Sequence, residues 1–286
     1  MSAAGSWLVS FAGTQVAIDW RGTAALRILK FLYGAEILAR PSEGQARFRL
    51  STEPTRRLRV QRGEELLYQG PSAGTAAGVL LDWTVHALAN GCRIGPLFHA
   101  AALAFHDRGV LLPGGSGSGK STFAAWLAHR GYDYLSDEMV CIESGASSLL
   151  SFFRPLHVRT PAVTILQQHG CLETNPAAIP NYGQYWSERG LLIPVTQLNP
   201  HNIYGTPQVQ LILFLHYQPA SELRLARLSQ AHAALHLMGC LVNARNLPRH
   251  GLAEISRLAQ QVPAYTLTYS SLDYLTDQIE LLLDMK

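Results

Sequence analysis

Gly114-Gly115-Ser116-Gly117-Ser118-Gly119-Lys120-Ser121-Thr122 is the stretch whose reading decides the fold. It satisfies G-x-x-x-x-G-K-[ST], a pattern whose glycines let consecutive backbone N–H groups turn toward one anion. Val110-Leu111-Leu112 precedes it as an apolar strand, and Phe123 to Ala128 follows as a helix. Strand, glycine loop and helix in that order are the setting in which the pattern holds phosphate. The helix N-terminus adds partial positive charge. In such a loop Lys120 reaches the β- and γ-phosphates, and the Ser121 hydroxyl ligates Mg²⁺.

Outward from the loop, Leu97 to Phe105 reads as a strand, His106 to Gly109 as a turn, and Arg130-Gly131 as the end of the helix. Tyr132 to Leu135 then leads to Ser136-Asp137-Glu138, and Met139 to Ile142 resumes a strand. Phosphoryl transfer needs a carboxylate for the metal and a residue that orients the nucleophile. Asp137 and Glu138 are the natural source of both, because only one helix and one short strand separate them from Lys120. Their division of labour stays open: either holds Mg²⁺ while the other accepts the proton of the acceptor hydroxyl. His99, on the strand before the loop, is a candidate catalytic residue or a core histidine, and His106 is a turn residue.

The 286 residues are enough for one large domain or two small ones. Hydrophobic residues make up 48% and charged residues 15%, which describes a globular chain and excludes a disordered one. A net charge of +3 without any lysine/arginine block gives nucleic-acid binding no support. Arg56-Arg57-Leu58-Arg59 reads as a solvated strand face. No apolar run approaches membrane-spanning length, and Met1 to Gly13 lacks a basic start, so a cytoplasmic chain is expected. Cys92, Cys141, Cys171 and Cys240 are scattered, which fits reduced thiols and not a zinc site.

Two parts are expected: a smaller N-terminal α/β lobe over 1–95, which docks a substrate or covers the core, and a phosphate-loop domain over 96–286. In the lobe, strands are predicted at Trp7–Phe11, Gln15–Ile18, Arg47–Leu50 and Leu58–Val60, with helices at Thr23–Tyr33 and Thr75–Ala89. Residues 144–208, rich in proline, read as a substrate lid or as irregular connections with short strands. Beyond them come a strand at Val209–His216, a helix capped by Ser229, a helix at Gly251–Gln261, a strand at Ala264–Tyr269 and a helix at Ser271–Leu283. Arg154 and Arg245 are candidate phosphate or substrate contacts from loops.

Phe98-His99-Ala100, Gly109 to Thr122, Arg130-Gly131-Tyr132 and Leu135-Ser136-Asp137-Glu138 together resemble the kinase domain of HPr kinase/phosphorylase. That family has a histidine, a G-x-x-G-x-G-K-S loop, a helix ending in R-G and a strand ending in V-A-D-D, in this order. The resemblance implies an α/β phosphate-loop kinase domain of the HPr kinase and PEP carboxykinase type. It further implies ATP and Mg²⁺, with Gly114 to Thr122 on the phosphates, Ser121, Asp137 and Glu138 at the metal, and His99 beside the transferred group. Its implied reaction is transfer to a serine of a peptide or small protein. Glu138 stands where the family has a second aspartate, and the family's E-V-R-G-x-G segment, which serves phosphorolysis, has no counterpart here. The N-terminal lobe does not resemble the HPr kinase N-terminal domain. Residues 209–270 are also similar to HPr-kinase-related lasso-peptide kinases, which implies a ribosomal peptide precursor as acceptor. A homo-oligomer is compatible, since HPr kinases are hexamers. Two rival readings are a nucleotide-binding switch without transferase activity and a kinase of a small metabolite.

Overall fold

The alternation of apolar and polar side chains over Ala4–Phe11 and Thr14–Arg21 produces a β-hairpin (β1, β2) paired from Ala4↔Arg21 to Phe11↔Thr14. The structure, a computed structural model, describes residues 3–34, 46–152, 154–172, 185–187, 189–203, 205–273 and 275–284. After the hairpin comes α1 (Thr23–Tyr33), then β3 (Ala46–Thr52), which pairs with β2 in parallel. A parallel pair needs a crossover, and α1 lies on it. β4 (Leu58–Arg62) and β5 (Glu65–Gly70) complete the sheet in the order β1-β2-β3-β4-β5. α2 (Ala73–Gly91) starts where the Ser72 side chain accepts from the Thr75 N–H. Val16, Ile18, Phe48, Leu50 and Val60 of the strands are buried, as are Ile28, Leu29 and Leu32 of α1 and Leu80 and Leu81 of α2. Each such side chain contributes about 1.5–3 kcal/mol by leaving water.

The second sheet grows around β6 (Leu97–Phe105) and β7 (Arg108–Pro113), an antiparallel pair joined by His106-Asp107. Both turn residues are left-handed, at φ 47° and 61°, as a two-residue turn between twisted strands requires. α3 (Lys120–His129) follows the glycine loop and stops at Arg130, with Gly131 at φ +91° just past its end. β8 (Asp133–Ser136) and β9 (Met139–Ile142) both run antiparallel to β6, and β10 (Leu149–Leu150) pairs with β9. Next come β11 (Leu156–Val158), α4 (Thr160–Gln168), β12 (Tyr185–Ser187) and β13 (Gly190–Ile193), with the strands ordered β11-β13-β12. α5 (Val195–Leu198), β14 (Gln208–Tyr217), β15 (Arg224–Arg227), α6 (Gln230–Cys240), α7 (Leu252–Gln261), β16 (Ala264–Tyr269) and α8 (Leu275–Asp284) complete the chain.

The described strands of this sheet run β10-β9-β6-β7-β14-β16-β15, with β8 also on β6. β7, β14 and β16 are parallel, so their C-terminal ends share one edge. One face packs Phe98, Ala100, Ala102, Leu111, Ile212 and Phe214 against Ala233 and Leu237 of α6 and Ile255 and Leu258 of α7. α3 packs on β6 and is buried from Phe123 to Ala128. Burial all round is why that helix shows no polar stripe in sequence.

Contacts divide the chain into two compact units. The first holds Met1–Cys92, Phe153–Ile165 and Glu173–Pro194, and the second holds Arg93–Phe152, Leu166–Leu172 and Val195–Lys286. The sequence boundary at 95/96 thus lies a few residues past the first break, and two segments of the expected 96–286 domain group with the N-terminal part. Of the proline-rich stretch 144–208, the described residues form short strands and helices, and β11, β12 and β13 belong to the first unit. Sequence reading misses β15, starts β7 late at Val110 instead of Arg108, and starts α8 early at Ser271 instead of Leu275.

Candidate functional site

β7 delivers the chain into the loop, where the Gly114 N–H donates to the His99 carbonyl at 3.2 Å. Gly117 and Gly119 take φ +89° and +95°, the left-handed region that glycine enters without strain. The Phe123 N–H donates to Gly119 O at 2.9 Å and opens α3. Lys120 is the first residue of that helix and only 6% exposed. Its Nζ folds back to donate to Gly114 O at 2.7 Å and Gly115 O at 2.9 Å. Burying an ammonium among carbonyl dipoles is costly, and an anion would offset that cost. Ser118 Oγ is buried without a hydrogen-bond partner among the described residues. Gly115, Ser116 and Gly117 are exposed, and Ser121 and Thr122 are half-buried in the first turn of α3. The first N–H groups of a helix have no partner within it. A buried ammonium, an orphaned hydroxyl and a helix N-terminus at one place fit a polyphosphate.

The three sequence-predicted residues outside the loop gather beside it. β9 pairs His99 with Met139, and the Ala100 N–H donates to Glu138 O at 3.3 Å, so the acidic pair lies along β6. His99 Nε2 comes within 3.6 Å of Glu138 Oε1. Burial, then the Lys120 charge, lowers the His99 pKa to about 4, against an opposing pull from Asp137. The imidazole is therefore neutral at pH 7, and its approach to Glu138 is not an ion pair. Asp137 is 2% exposed, and Tyr134 Oη donates to its Oδ1 at 2.8 Å. The Glu138 side chain keeps 43% exposure. Asp137 and Glu138 form the bend between β8 and β9, and there one carboxylate is sunk while the other keeps contact with solvent.

Beyond β7 on the other side stand two tyrosines that sequence reading left unassigned. Tyr217 and Tyr269 end β14 and β16 and are register partners, with rings meeting edge to face at 5.7 Å. Tyr269 is buried, packs on Phe123 at 5.5 Å, and has its phenol pKa raised by burial. Tyr217 remains 41% exposed. A Cβ on Gly119 would lie 2.5 Å from Tyr269 Oη and 3.6 Å from Tyr217 Cβ. A signal existed: both tyrosines terminate apolar strands parallel to the loop strand, and ligands bind at such C-terminal ends. Tyr134 carried no comparable signal.

The two candidate arginines separate. Arg154 belongs to the first unit and is buried there, with Nε donating to Pro155 O at 3.3 Å. Arg245 is exposed on a short 3-10 turn at Ala244–Asn246 in the second unit. Cys92, Cys141 and Cys171 are buried thiols. Cys240 is half-buried at the end of α6, where burial raises its pKa against the pull of Lys120. Among the described residues no three His, Cys, Asp or Glu side chains are grouped to hold a metal, and no helix is long and apolar enough to cross a membrane.

No family model matches the sequence. No curated protein matches it either. Among solved structures the chain is similar to the HPr(Ser) kinase/phosphatase from Coxiella burnetii, at 14% identity over 65% of this chain and 93% of that one, with a TM-score of 0.31. A likeness that loose carries neither family nor chemistry.

Proposed function

We propose that the protein is an ATP- and Mg²⁺-dependent kinase that phosphorylates a serine hydroxyl of a peptide or small protein. One observation carries the reading: Asp137, Glu138 and a neutral His99 stand together beside a loop whose Lys120 is buried on carbonyls. Loop and helix alone would serve a switch as well; the carboxylates beside them are what transfer to a hydroxyl requires.

The N–H groups of Gly115 to Thr122, the Ser118 hydroxyl and Lys120 Nζ would hold the phosphates of ATP. Ser121 with Asp137 or Glu138 would hold Mg²⁺. Two or three protein oxygens suffice for Mg²⁺, which fills its octahedron with phosphate oxygens and water. When bound, ATP supplies the phosphoryl group and Mg²⁺ offsets charge on its oxygens.

The chain's own groups do the rest. The carboxylate of Asp137 or Glu138 accepts the proton of the acceptor hydroxyl, within hydrogen-bond reach as general base catalysis demands. Asp137 is the better placed for a fixed geometry, because Tyr134 pins one of its oxygens. Neutral His99 adds no positive charge beside Lys120 and can accept or donate one hydrogen bond at Nε2. Lys120 turns from its two carbonyls toward the phosphates and stabilises the charge that develops there.

The test is phosphoryl transfer from γ-labelled ATP with Mg²⁺ to candidate serine-containing peptides, with Asp137→Asn alongside. Label on an acceptor serine that falls at least about a hundredfold in the variant supports the reading. ATP binding without transfer to any peptide or metabolite would replace it with the switch.

A further inference from the structure

The edge of the second sheet has a direction. On one side of β7 lie β6, β8 and β9, which carry His99, Asp137 and Glu138. On the other lie β14 and β16, which end in Tyr217 and Tyr269. The chemical groups therefore flank the loop on one side and an aromatic pair flanks it on the other.

We propose that Tyr217 forms the wall of a nucleobase subsite, against which the purine ring of the bound nucleotide stacks. This rests on the phosphate-loop reading above and extends it from the phosphates to the base. A nucleotide whose reacting end faces Asp137 and Glu138 must extend its nucleoside away from them, across the loop toward β14. There it meets Tyr217, a residue that keeps 41% exposure. Tyr217 is also held. Its ring meets Tyr269 edge to face at 5.7 Å, and Tyr269 is itself packed on Phe123 of α3. The lack of a Cβ at Gly119 lets both tyrosines come up to the N-terminus of α3, with Tyr217 Cβ 3.6 Å from where that atom would be. A tyrosine held by a neighbouring ring and partly open to solvent suits a flat π-system, and base–aromatic stacking tolerates any base.

Equilibrium binding separates the base from the phosphates. ATP and inorganic tripolyphosphate, each with Mg²⁺, are titrated into wild type, Tyr217→Ala and Tyr217→Phe. The expected result is that Tyr217→Ala weakens ATP about tenfold and leaves tripolyphosphate within about twofold, while Tyr217→Phe keeps ATP near wild type. Unchanged tripolyphosphate binding also certifies that the alanine variant is folded. Equal losses for both ligands, or no loss for ATP, would overturn the subsite while leaving the phosphate loop standing. Failure of wild type to bind either ligand would overturn the loop reading and the subsite with it.

Discussion

Tyr134 Oη donates to Asp137 Oδ1 at 2.8 Å, and both side chains are buried. In a regular strand, residues three apart face opposite sides. Here the pairing of β8 with β6 slips: Tyr134 pairs with Leu103 and Ser136 with Ala102, so β8 spends an extra residue at that step. The bulge re-aims the residues after it and brings the carboxylate round to the phenol. Removing that donor with Tyr134→Phe takes a hydrogen bond from a buried carboxylate. We expect kcat to fall about tenfold with KM for ATP little changed. An unchanged kcat with a lowered urea midpoint would mean that the bond serves folding alone.

His99 ties stability to pH. Its pKa in the folded protein is about 4, below the 6.5 expected unfolded. Between those values the unfolded chain binds more protons, so stability rises with pH across the window and is lost as pH falls from about 6.5 toward 4. At pH 5 the loss is about 2 kcal/mol relative to pH 7. Urea unfolding of wild type and His99→Gln at pH 7 and pH 5 reads it directly. The difference between the two proteins should shrink by roughly that amount at the lower pH. A gap independent of pH would show that His99 is not buried neutral.

The β6–β7 turn offers a gain in stability away from the site. Asp107 sits at φ 61° in a turn position that favours glycine. Asp107→Gly should raise stability by about 0.5–1 kcal/mol, read as a higher melting temperature with unchanged nucleotide binding. A lower melting temperature would mean that the aspartate side chain stabilises the turn more than its backbone strains it.

The loop, its flanking strand and helix, and the closeness of the acidic pair were legible because each depends on local sequence. Thr23–Tyr33 and Ala264–Tyr269 appear in the structure with the bounds their periodicity predicts. What lay beyond reading depends on pairing between distant segments. Nothing in Arg224–Arg227 marks a strand: all four residues are exposed, and only the edge of β16 makes them one. The grouping of 153–165 and 173–194 with the N-terminal unit is likewise set by tertiary contact. The Tyr134–Asp137 bond hangs on a bulge, and the Tyr217–Tyr269 pair on parallel register. His99 was visible as a residue, but its neutrality comes from burial and from Lys120.

Gly119 is where the loop's backbone and its aromatic wall meet, and two costs there can be told apart. At φ +95° any other residue is strained by about 1–2 kcal/mol. A Cβ would also stand 2.5 Å from Tyr269 Oη, and that buried ring packs against Phe123 and Tyr217. The next atom of the ring, Tyr269 Cζ, is 3.6 Å away, an ordinary contact. Gly119→Ala should therefore destabilise by more than the backbone term, and Tyr269→Phe, which deletes only the hydroxyl, should recover the excess. In a double-mutant cycle by urea unfolding we expect a coupling of about 1 kcal/mol or more between the two positions. Tripolyphosphate binding should stay weak in the double variant, because the strained loop no longer presents its N–H groups to one point. Additive stabilities would show that the hydroxyl moves aside freely, and the close approach of Tyr269 to the loop would then have no energetic weight.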